Sequence, residues 1–395
     1  MSEQVGLLSD AVEFNPSVKW DRENSYRFVP MDAITPGVRT VTAPEMRKAG
    51  GGAKFQSGDV LFARITPCLE NGKIARFEAP DNEPAFGSTE FFVLRAKPEK
   101  MDARLLYYIA VTDLLRKPAE KSMSGASGRQ RASLQALRDV ELTLPKLEVQ
   151  RRIADILSAY DDLTENNTRR IAILEDMARR LFEEWFGRDA VVGEAEPVRI
   201  DALIDFDPKT KVAKEGWKPF LPMPCVRTNS MVVSEWEERE GNAGSKFLNG
   251  DTLLARITPC LENGKTAFVD FLPDCTAGFG STEFIVMRGR EVPPEFVYCL
   301  ARSEAFREHA IRSMSGATGR QRVSSAAVAQ FEIASPHPER LEKFGEAARP
   351  MFSMVRSLAD ANNYLRAARD LLLPKLLFGE IEVRTAEEAL EAVAA

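Results

Sequence analysis

The residues best suited to chemistry in this sequence are the arginines and glutamines of a short glycine-containing string that occurs twice. The string Ser-Gly-Ala-x-Gly-Arg-Gln-Arg covers residues 124–131 and returns at residues 315–322. Arginine can clamp a phosphate or bind guanine through two hydrogen bonds, and glutamine can bind adenine in the same way. The string therefore predicts nucleic-acid contacts at Arg129, Gln130, Arg131, Arg320, Gln321 and Arg322. The structural alternative is a loop that caps the following helix and pins it to its domain.

A second duplicated string, ARITPCLENGK, spans residues 63–73 and 255–265 without one letter changed. Its Asn-Gly pair indicates a tight turn between strands, which would bring the lysine to a surface edge. The string GSTEF, at residues 87–91 and 280–284, offers hydroxyl and N–H groups that suit contacts with a nucleic-acid backbone. The further candidate contacts are Arg64, Lys73, Ser88, Thr89, Arg256, Lys265, Ser281 and Thr282.

Several catalytic and ligand-binding classes lack the residues they need. The Gly264-Lys265-Thr266 string has Pro259 where a phosphate-binding loop requires glycine. Residues 15–17 and 207–209 do not complete the tetrad with which amino-methylating enzymes hold a flipped base. The two histidines and five cysteines form no metal-binding spacing, so we expect reduced thiols and no metal or cofactor on this chain.

The whole chain is a tandem duplication, because the shared strings recur at an offset of 191–193 residues. Each copy of about 190 residues is too long for a solenoid repeat, and contains a domain followed by a long helix. If both domains bind nucleic acid, the shared strings should serve as scaffold and phosphate contacts. Residues that recognise bases should lie where the copies diverge, in residues 18–48 against 210–240 and residues 78–86 against 270–279.

Apolar residues at steps of three and four predict a coiled-coil seam in the helix of each copy. An asparagine in each seam is expected either to fix the helix register or to face solvent. Pro350 should kink or restart the second helix, and Pro374 should tighten or end it. Pairing of the two helices about a pseudo-twofold axis would make them antiparallel. The seam residues are Ile153, Ile156, Tyr160, Leu163, Asn167, Ile171, Leu174, Leu181, Leu341, Phe344, Met351, Val355, Leu358, Asn362, Leu365 and Leu372.

The body of each copy combines strands and helices, which predicts an α/β (α+β) fold. Residues 60–63 and 91–94 are bulky, strand-like runs, whereas residues 104–115 and 295–309 have helical periodicity. The net charge of −6 argues against a uniformly basic surface but allows a local basic cleft. Because no segment has the length and apolar character of a membrane span or signal peptide, we expect a cytoplasmic protein with no membrane contact.

The chain resembles the specificity subunits of type I restriction–modification systems over nearly its full length. The resemblance rests on Gly-Asp-x-Leu-x-Ala-Arg-Ile-Thr-Pro, on GSTEF, on the Leu144-Pro145 before the first helix, and on the closing string LLLPKLLFGEI at residues 371–381. The sequence departs from the family pattern in two places, since the run at Pro145 lacks the double proline and the second helix contains Pro350.

The resemblance implies a non-catalytic subunit that recognises a split sequence in double-stranded DNA. Two target-recognition domains, held apart by two long antiparallel helices, would each bind one half-site. The helices would dock two methyltransferase subunits, and endonuclease–translocase subunits would join the complex. S-adenosylmethionine, ATP and Mg²⁺ would then bind to those partners. The alternatives are a structural or RNA-binding scaffold and a self-sufficient methyltransferase.

The family architecture divides the sequence into five segments. Residues 1–145 would form the first target-recognition domain and residues 146–186 the first spacer helix. Residues 187–337 would form the second domain, residues 338–384 the second spacer helix, and residues 385–395 a C-terminal tail. A spacer helix of about forty residues reaches roughly 60 Å, enough to span half-sites one DNA turn, about 34 Å, apart.

Overall fold

The structure is a computed structural model that describes residues 4–126, 128–187, 196–317 and 319–394. It forms two compact units. Unit 1 contains the residues up to 163 together with those from 365 onward, and unit 2 contains residues 164–364. Each unit therefore holds one repeat body, the first part of one long helix and the last part of the other.

The body of unit 1 consists of short strands with helices inserted near its ends. The strands are β1 (Gln4–Leu7), β2 (Val12–Phe14), β3 (Ser25–Val29), β4 (Thr40–Val41), β5 (Glu45–Lys48), β6 (Ala53–Phe55), β7 (Val60–Ala63), β8 (Ile74–Phe77), β9 (Ala85–Gly87), β10 (Phe91–Ala96) and β11 (Glu141–Leu144). The helices of the body are α1 (Leu8–Ala11), α2 (Ala103–Val111), α3 (Asp113–Lys121) and α4 (Leu134–Arg138), and the long helix α5 (Leu147–Phe186) follows.

The body of unit 2 repeats this plan. Its strands are β12 (Pro197–Arg199), β13 (Ile204–Phe206), β14 (Lys218–Leu221), β15 (Glu237–Arg239), β16 (Ser245–Phe247), β17 (Thr252–Ala255), β18 (Thr266–Phe268), β19 (Gly278–Gly280), β20 (Phe284–Gly289) and β21 (Glu332–Ala334). Its helices are α6 (Pro294–Arg302), α7 (Glu304–Arg312) and α8 (Ser325–Val328), followed by the long helix α9 (Pro338–Leu377) and by α10 (Val383–Ala394).

The two bodies share one sheet topology, as expected for a duplication. In unit 1 the strand orders are β2-β10-β7-β8-β4 and β5-β3-β9-β6, and in unit 2 they are β13-β20-β17-β18 and β15-β14-β19-β16. Most neighbours are antiparallel, but β3 runs parallel to β9, and β14 runs parallel to β19. Unit 1 has one additional strand, β4, which runs parallel to β8. The predicted mixed α/β class is confirmed, with the strands at residues 60–63 and 91–94 in place.

The predicted helices at residues 104–115 and 295–309 are each two helices. Thr112 ends α2 and caps α3, since its hydroxyl accepts a hydrogen bond from the N–H of Leu114. Ser303 separates α6 from α7 and accepts from the N–H of Phe306. A Thr or Ser in extended conformation satisfies the free N–H groups of a new helix start, which explains a break that apolar periodicity does not reveal.

Both long helices are confirmed, and each has forty residues. The prediction that Pro350 restarts the second helix is wrong, because α9 continues through Pro350 and Pro374. Pro350 and Glu346 are both exposed, so the carbonyl that Pro350 leaves without a donor can bind water. The segment assigned to a tail after residue 384 lies mostly within α10.

Within unit 2 the two long helices run antiparallel. The Asn362 side-chain amide donates to the Thr168 hydroxyl at 3.3 Å, and the Phe186 and Phe344 ring centroids lie 5.5 Å apart. As the residue number on α5 rises from 168 to 186, the number of the facing residue on α9 therefore falls from 362 to 344. The contact ends in an aromatic cluster with Phe182 and Phe296.

Within unit 1 the start of α5 packs against the end of α9 around a buried charge. Arg369 of α9 donates to Asp161 of α5, and the other oxygen of Asp161 accepts from the Tyr108 hydroxyl at 2.7 Å. Burial lowers the pKa of Arg369, but the negative charges of Asp161 and Asp370 outweigh burial and hold the pKa above its ordinary value. The guanidinium therefore stays charged inside the helix contact.

The seam residues differ in depth, and neither asparagine pairs with the other. Asn362 is buried, with its amide on Thr168, whereas Asn167 is half-buried. Among the other seam positions, the buried ones are Ile153, Ile156, Tyr160, Ile171, Leu341, Phe344, Val355, Leu358 and Leu365. The half-buried ones are Leu163, Leu174, Leu181, Met351 and Leu372.

Candidate nucleic-acid interface

The string ARITPCLENGK holds the glycine-containing loop in both bodies. The Thr66 N–H and hydroxyl both donate to the Gln130 carbonyl, at 3.0 and 3.3 Å, and Thr258 makes the same two bonds to Gln321. The Arg64 carbonyl accepts from the N–H of Ala132 at 2.8 Å. Residues 64 and 66 of ARITPCLENGK thereby hold the C-terminal end of the loop, at residues 130–132. This contact gives a physical reason for the two strings to recur together.

Arg131 and Arg322 are held by carboxylates of GSTEF. Glu90 accepts two hydrogen bonds from the Arg131 Nε and one from its Nη2, at 2.6–3.1 Å, and Glu283 holds Arg322 with the same geometry. The Arg131 guanidinium holds the pKa of Glu90 below its ordinary value, and Arg322 does the same for Glu283. These two arginines thus position the loop rather than extend from it.

Arg129 and Arg320 lie at the exposed tip of each loop. Within the described part of the chain, neither side chain makes a hydrogen bond or an ion pair, while residues 127 and 318 beside them are not described. Backbone pairing of Ser124 with Arg131 closes the first loop, and that of Ser315 with Arg322 closes the second. Among the described residues, the guanidinium at each tip therefore has no hydrogen-bond or ion-pair partner, and backbone pairing closes the loop that carries it.

The two lysines of the duplicated string are committed to the backbone. The Lys73 ammonium donates to the Met31 carbonyl at 2.9 Å, and Lys265 donates to the Met223 carbonyl at the same distance. The connection that ends in Asn71-Gly72 is longer than the expected tight turn, since it runs from residue 64 to residue 73 between β7 and β8. Gly72 has a φ of 68°, which explains glycine at the point where the chain turns into β8.

The serine and threonine pairs have different roles within GSTEF. The Ser88 hydroxyl accepts from the N–H of Glu90 at 3.2 Å, and Ser281 accepts from Glu283, so each serine shapes the turn that carries the carboxylate. The following residues, Thr89 and Thr282, are exposed. The threonine side chains are accordingly more exposed to a ligand than the half-buried serines.

In unit 2 a cavity of about 510 Å³ collects several cationic side chains. Lys209, Lys246, Arg256 and Thr282 line it, together with Asp207. The Arg256 Nε donates to the Val323 carbonyl at 3.1 Å, which holds this guanidinium at the wall. Three positive charges around one polar concavity suit an anion such as a DNA phosphate.

The cavity contains residues that the sequence did not single out. Arg256 and Thr282 were predicted as contacts, whereas Lys209 and Lys246 were not. In unit 1 the residue equivalent to Lys246 is Lys54, whose ammonium lies 4.3 Å from the Trp20 ring centroid. Arg64 lies over the Phe92 ring at 5.1 Å. The equivalent surfaces of the two bodies thus differ in the side chains they present.

Within the described ranges, no group of three or more His, Cys, Asp and Glu side chains is placed to hold a metal ion. The search for a membrane span found no helix of sufficient length and apolarity among the described residues.

Comparisons with known proteins show which proteins this duplicated fold resembles. Residues 22–176 match the family model of the type I restriction modification DNA specificity domain. The MjaIX specificity subunit of Methanocaldococcus jannaschii is 26% identical, over 70% of this chain and 69% of its own length. The HindI specificity subunit of Haemophilus influenzae is 22% identical, over 83% of this chain and 87% of its own length.

A solved structure has the same fold over the whole length. The type I restriction-modification S subunit from M. genitalium is 14% identical, with a TM-score of 0.52, and covers 95% of this chain and 96% of its own. The first repeat therefore matches a DNA specificity domain, and the second repeat has the same sheet topology. Over most of its length the chain is similar to the specificity subunits of type I restriction–modification systems.

Proposed function

We propose that this chain recognises a bipartite duplex DNA target, with one half-site bound by each repeat body. The main support for this proposal is the duplicated loop. In each body an exposed arginine, Arg129 or Arg320, lies at the tip of a hairpin that a Glu–Arg ion pair holds in place. Two equivalent heads on one chain suit two half-sites separated by a gap. We assign Arg64, Thr89, Arg256 and Thr282 to the same DNA-facing surface.

The long helices are proposed to set the gap and to dock the partner subunits. The partners are two methyltransferase subunits, joined by endonuclease–translocase subunits, which would carry S-adenosylmethionine, ATP and Mg²⁺. Each unit contains the start of one long helix and the end of the other, so each offers an equivalent helical surface to one methyltransferase copy. The complex would act on duplex DNA in the cytoplasm.

The test is to co-express the full chain with a methyltransferase subunit of its system and to sequence the methylated adenines. We expect a split motif in which two short specific sequences flank unspecified bases. A chain whose residues 196–334 are replaced by the equivalent body of a relative should change one half of that motif only. A contiguous motif, or binding that duplex RNA competes for as well as duplex DNA of equal length, would contradict the proposal.

Replacing Arg129 or Arg320 with Ala is expected to weaken DNA binding in a way that Arg199→Ala does not reproduce. Removing a phosphate contact lowers affinity for every sequence and flattens the salt dependence by roughly one unit of log–log slope. A base contact would instead relax one position of a half-site by about 1–3 kcal/mol.

The measurement is the dissociation constant of the complex for its target duplex over a series of salt concentrations. Arg199→Ala serves as the control, since Arg199 is also an exposed arginine but is paired with Asp201 and lies outside the loop. An equal loss of slope in both variants would show that Arg129 has no special role at the tip.

A further inference from the structure

An arginine on the outermost strand of the four-stranded sheet lies flat on a phenylalanine in both bodies. The central guanidinium carbon of Arg47 is 3.8 Å from the centroid of the Phe28 ring, and that of Arg239 is 3.7 Å from Phe220. The strands that carry these arginines, β5 and β15, stand at the edge of their sheets and are exposed at every residue. The stacking fixes the plane of each guanidinium.

A carboxylate two residues earlier fixes the rotation of the same group. The Arg47 Nη2 donates to Glu45 at 2.6 Å, and the Arg239 Nη2 donates to Glu237 at 2.8 Å. The supporting rings are held in turn, since Phe28 meets Phe86 edge-on at 5.0 Å and Phe220 meets Phe279 at 5.0 Å. The arrangement is therefore preorganised, and a ligand would order little that is not already ordered.

Most of the hydrogen-bonding capacity of these arginines faces solvent. The side chains of Arg47 and Arg239 are both 50% exposed. In the ranges that the structure covers, neither makes a hydrogen bond other than the one to its glutamate. A guanidinium has five N–H groups, so about four remain for an external acceptor.

The arrangement has persisted where the two copies otherwise diverge. Residues 18–48 and 210–240 differ at most positions, yet Phe28, Glu45 and Arg47 recur as Phe220, Glu237 and Arg239. Solvent-exposed ion pairs contribute little to stability, so folding alone is a weak reason for keeping the set. A contact that is the same in both bodies also fits a ligand group that is the same in both half-sites.

We propose that Arg47 and Arg239 each bind a phosphate of the DNA backbone, one in each half-site. The proposal rests on the proposed function and adds to it a pair of equivalent backbone contacts outside the duplicated loops. The planar fork of a stacked guanidinium matches two phosphate oxygens, and phosphate contacts fix the position of a protein on the duplex without depending on sequence.

The experiment uses the full chain in complex with its methyltransferase subunits and a duplex that carries the split target. Arg47→Gln and Arg239→Gln keep side-chain length and polarity but remove the charge. We expect each to weaken binding roughly tenfold and to flatten the salt dependence by about one unit of slope, and the double variant by about two. The methylated sequence should stay the same.

Two further variants identify which property of the arginine matters. One tests whether binding needs the planar guanidinium or only its charge, and the other tests whether losing any exposed arginine has the same effect. Arg47→Lys keeps the charge, so it should preserve most of the salt slope while losing part of the affinity. Arg199→Gln is the matched control, because Arg199 is also exposed and paired with a carboxylate two residues away, Asp201, but stacks on no aromatic ring of the described residues. It should bind like the parent, and the thermal unfolding of all variants should match the parent's.

Three results would overturn the inference. The first is an affinity and salt slope for Arg47→Gln and Arg239→Gln equal to those of Arg199→Gln. The second is a methylated motif in which one half-site position becomes degenerate, since that would identify a base contact. The third is a lowered unfolding temperature that accounts for the whole loss of binding, which would make the stack structural. Failure of the parent complex to bind the split duplex would instead contradict the proposed function.

Discussion

Inserting seven residues into both long helices, after Glu165 and after Tyr364, is expected to lengthen the gap between the half-sites without changing their bases. Seven residues add about 10 Å of helix, which corresponds to at most about three base pairs. Both insertion points lie between the same two contacts along their helices, since residue 165 lies between Asp161 and Thr168 of α5 and residue 364 lies between Asn362 and Arg369 of α9. The double insertion therefore preserves the pairing on both sides.

Inserting seven residues into α5 alone is the matched control for this prediction. The insertion shifts the part of α5 after residue 165 by seven positions relative to α9. The Asp161–Arg369 pair and the Thr168–Asn362 pair then cannot both form, so one of them is lost. We expect the single insertion to prevent assembly of an active complex. Sequencing of methylated adenines measures both outcomes. A change in the bases of a half-site after the double insertion would contradict the role of the helices as spacers.

Replacing Arg369 with Ala is expected to lower the free energy of unfolding of unit 1 by about 3–5 kcal/mol. Asp161 is 4% exposed, and Arg369 is 9% exposed. Without Arg369, the Asp161 carboxylate stays in the helix contact, where it accepts a hydrogen bond from the Tyr108 hydroxyl at 2.7 Å but has lost the guanidinium. Removing one member of a buried pair costs more than the pair itself contributes, because the other charge is left without compensation.

The double variant Asp161→Leu with Arg369→Met tests that reasoning. Replacing both charges by apolar side chains of similar size removes the uncompensated charge, so it should recover most of the lost stability. Urea unfolding followed by circular dichroism measures both variants. A double variant as unstable as Arg369→Ala would show that the loss arises from packing around the helices rather than from an unpaired charge.

The helical part of the fold could be predicted from the sequence because its signals are local and long. Steps of three and four over forty residues leave few alternatives to a helix, and the antiparallel pairing follows from the duplication. The breaks at Thr112 and Ser303 could not be predicted from apolar periodicity, since capping depends on one side-chain hydroxyl. Helix α9 continues through Pro350 because that turn is exposed and water can bind the carbonyl that lacks a donor. Apolar periodicity does not indicate whether a given turn is exposed in this way.

The candidate site was less accessible to sequence reasoning, since its contacts join residues far apart in the chain. Arg131 and Glu90 are 41 residues apart, so the sequence could identify the arginine without its partner. The signal that could have found the pair is co-duplication, because Glu90 and Arg131 recur together as Glu283 and Arg322. Comparison of the two copies could also have identified Glu45 and Arg47, which recur as Glu237 and Arg239 within the otherwise divergent residues 18–48 and 210–240.

The buried pair between the helices also determines which halves of the molecule can associate. Both helices have forty residues, so Asp161 of α5 is equivalent to Phe352 of α9, and Arg369 is equivalent to Ala178. Two copies of the first half, paired through α5 alone, would place Asp161 opposite Ala178, and two copies of the second half would place Arg369 opposite Phe352. Each homodimer would bury two charges without an oppositely charged partner, one from each copy. Self-association of either half is therefore disfavoured relative to its association with the other half.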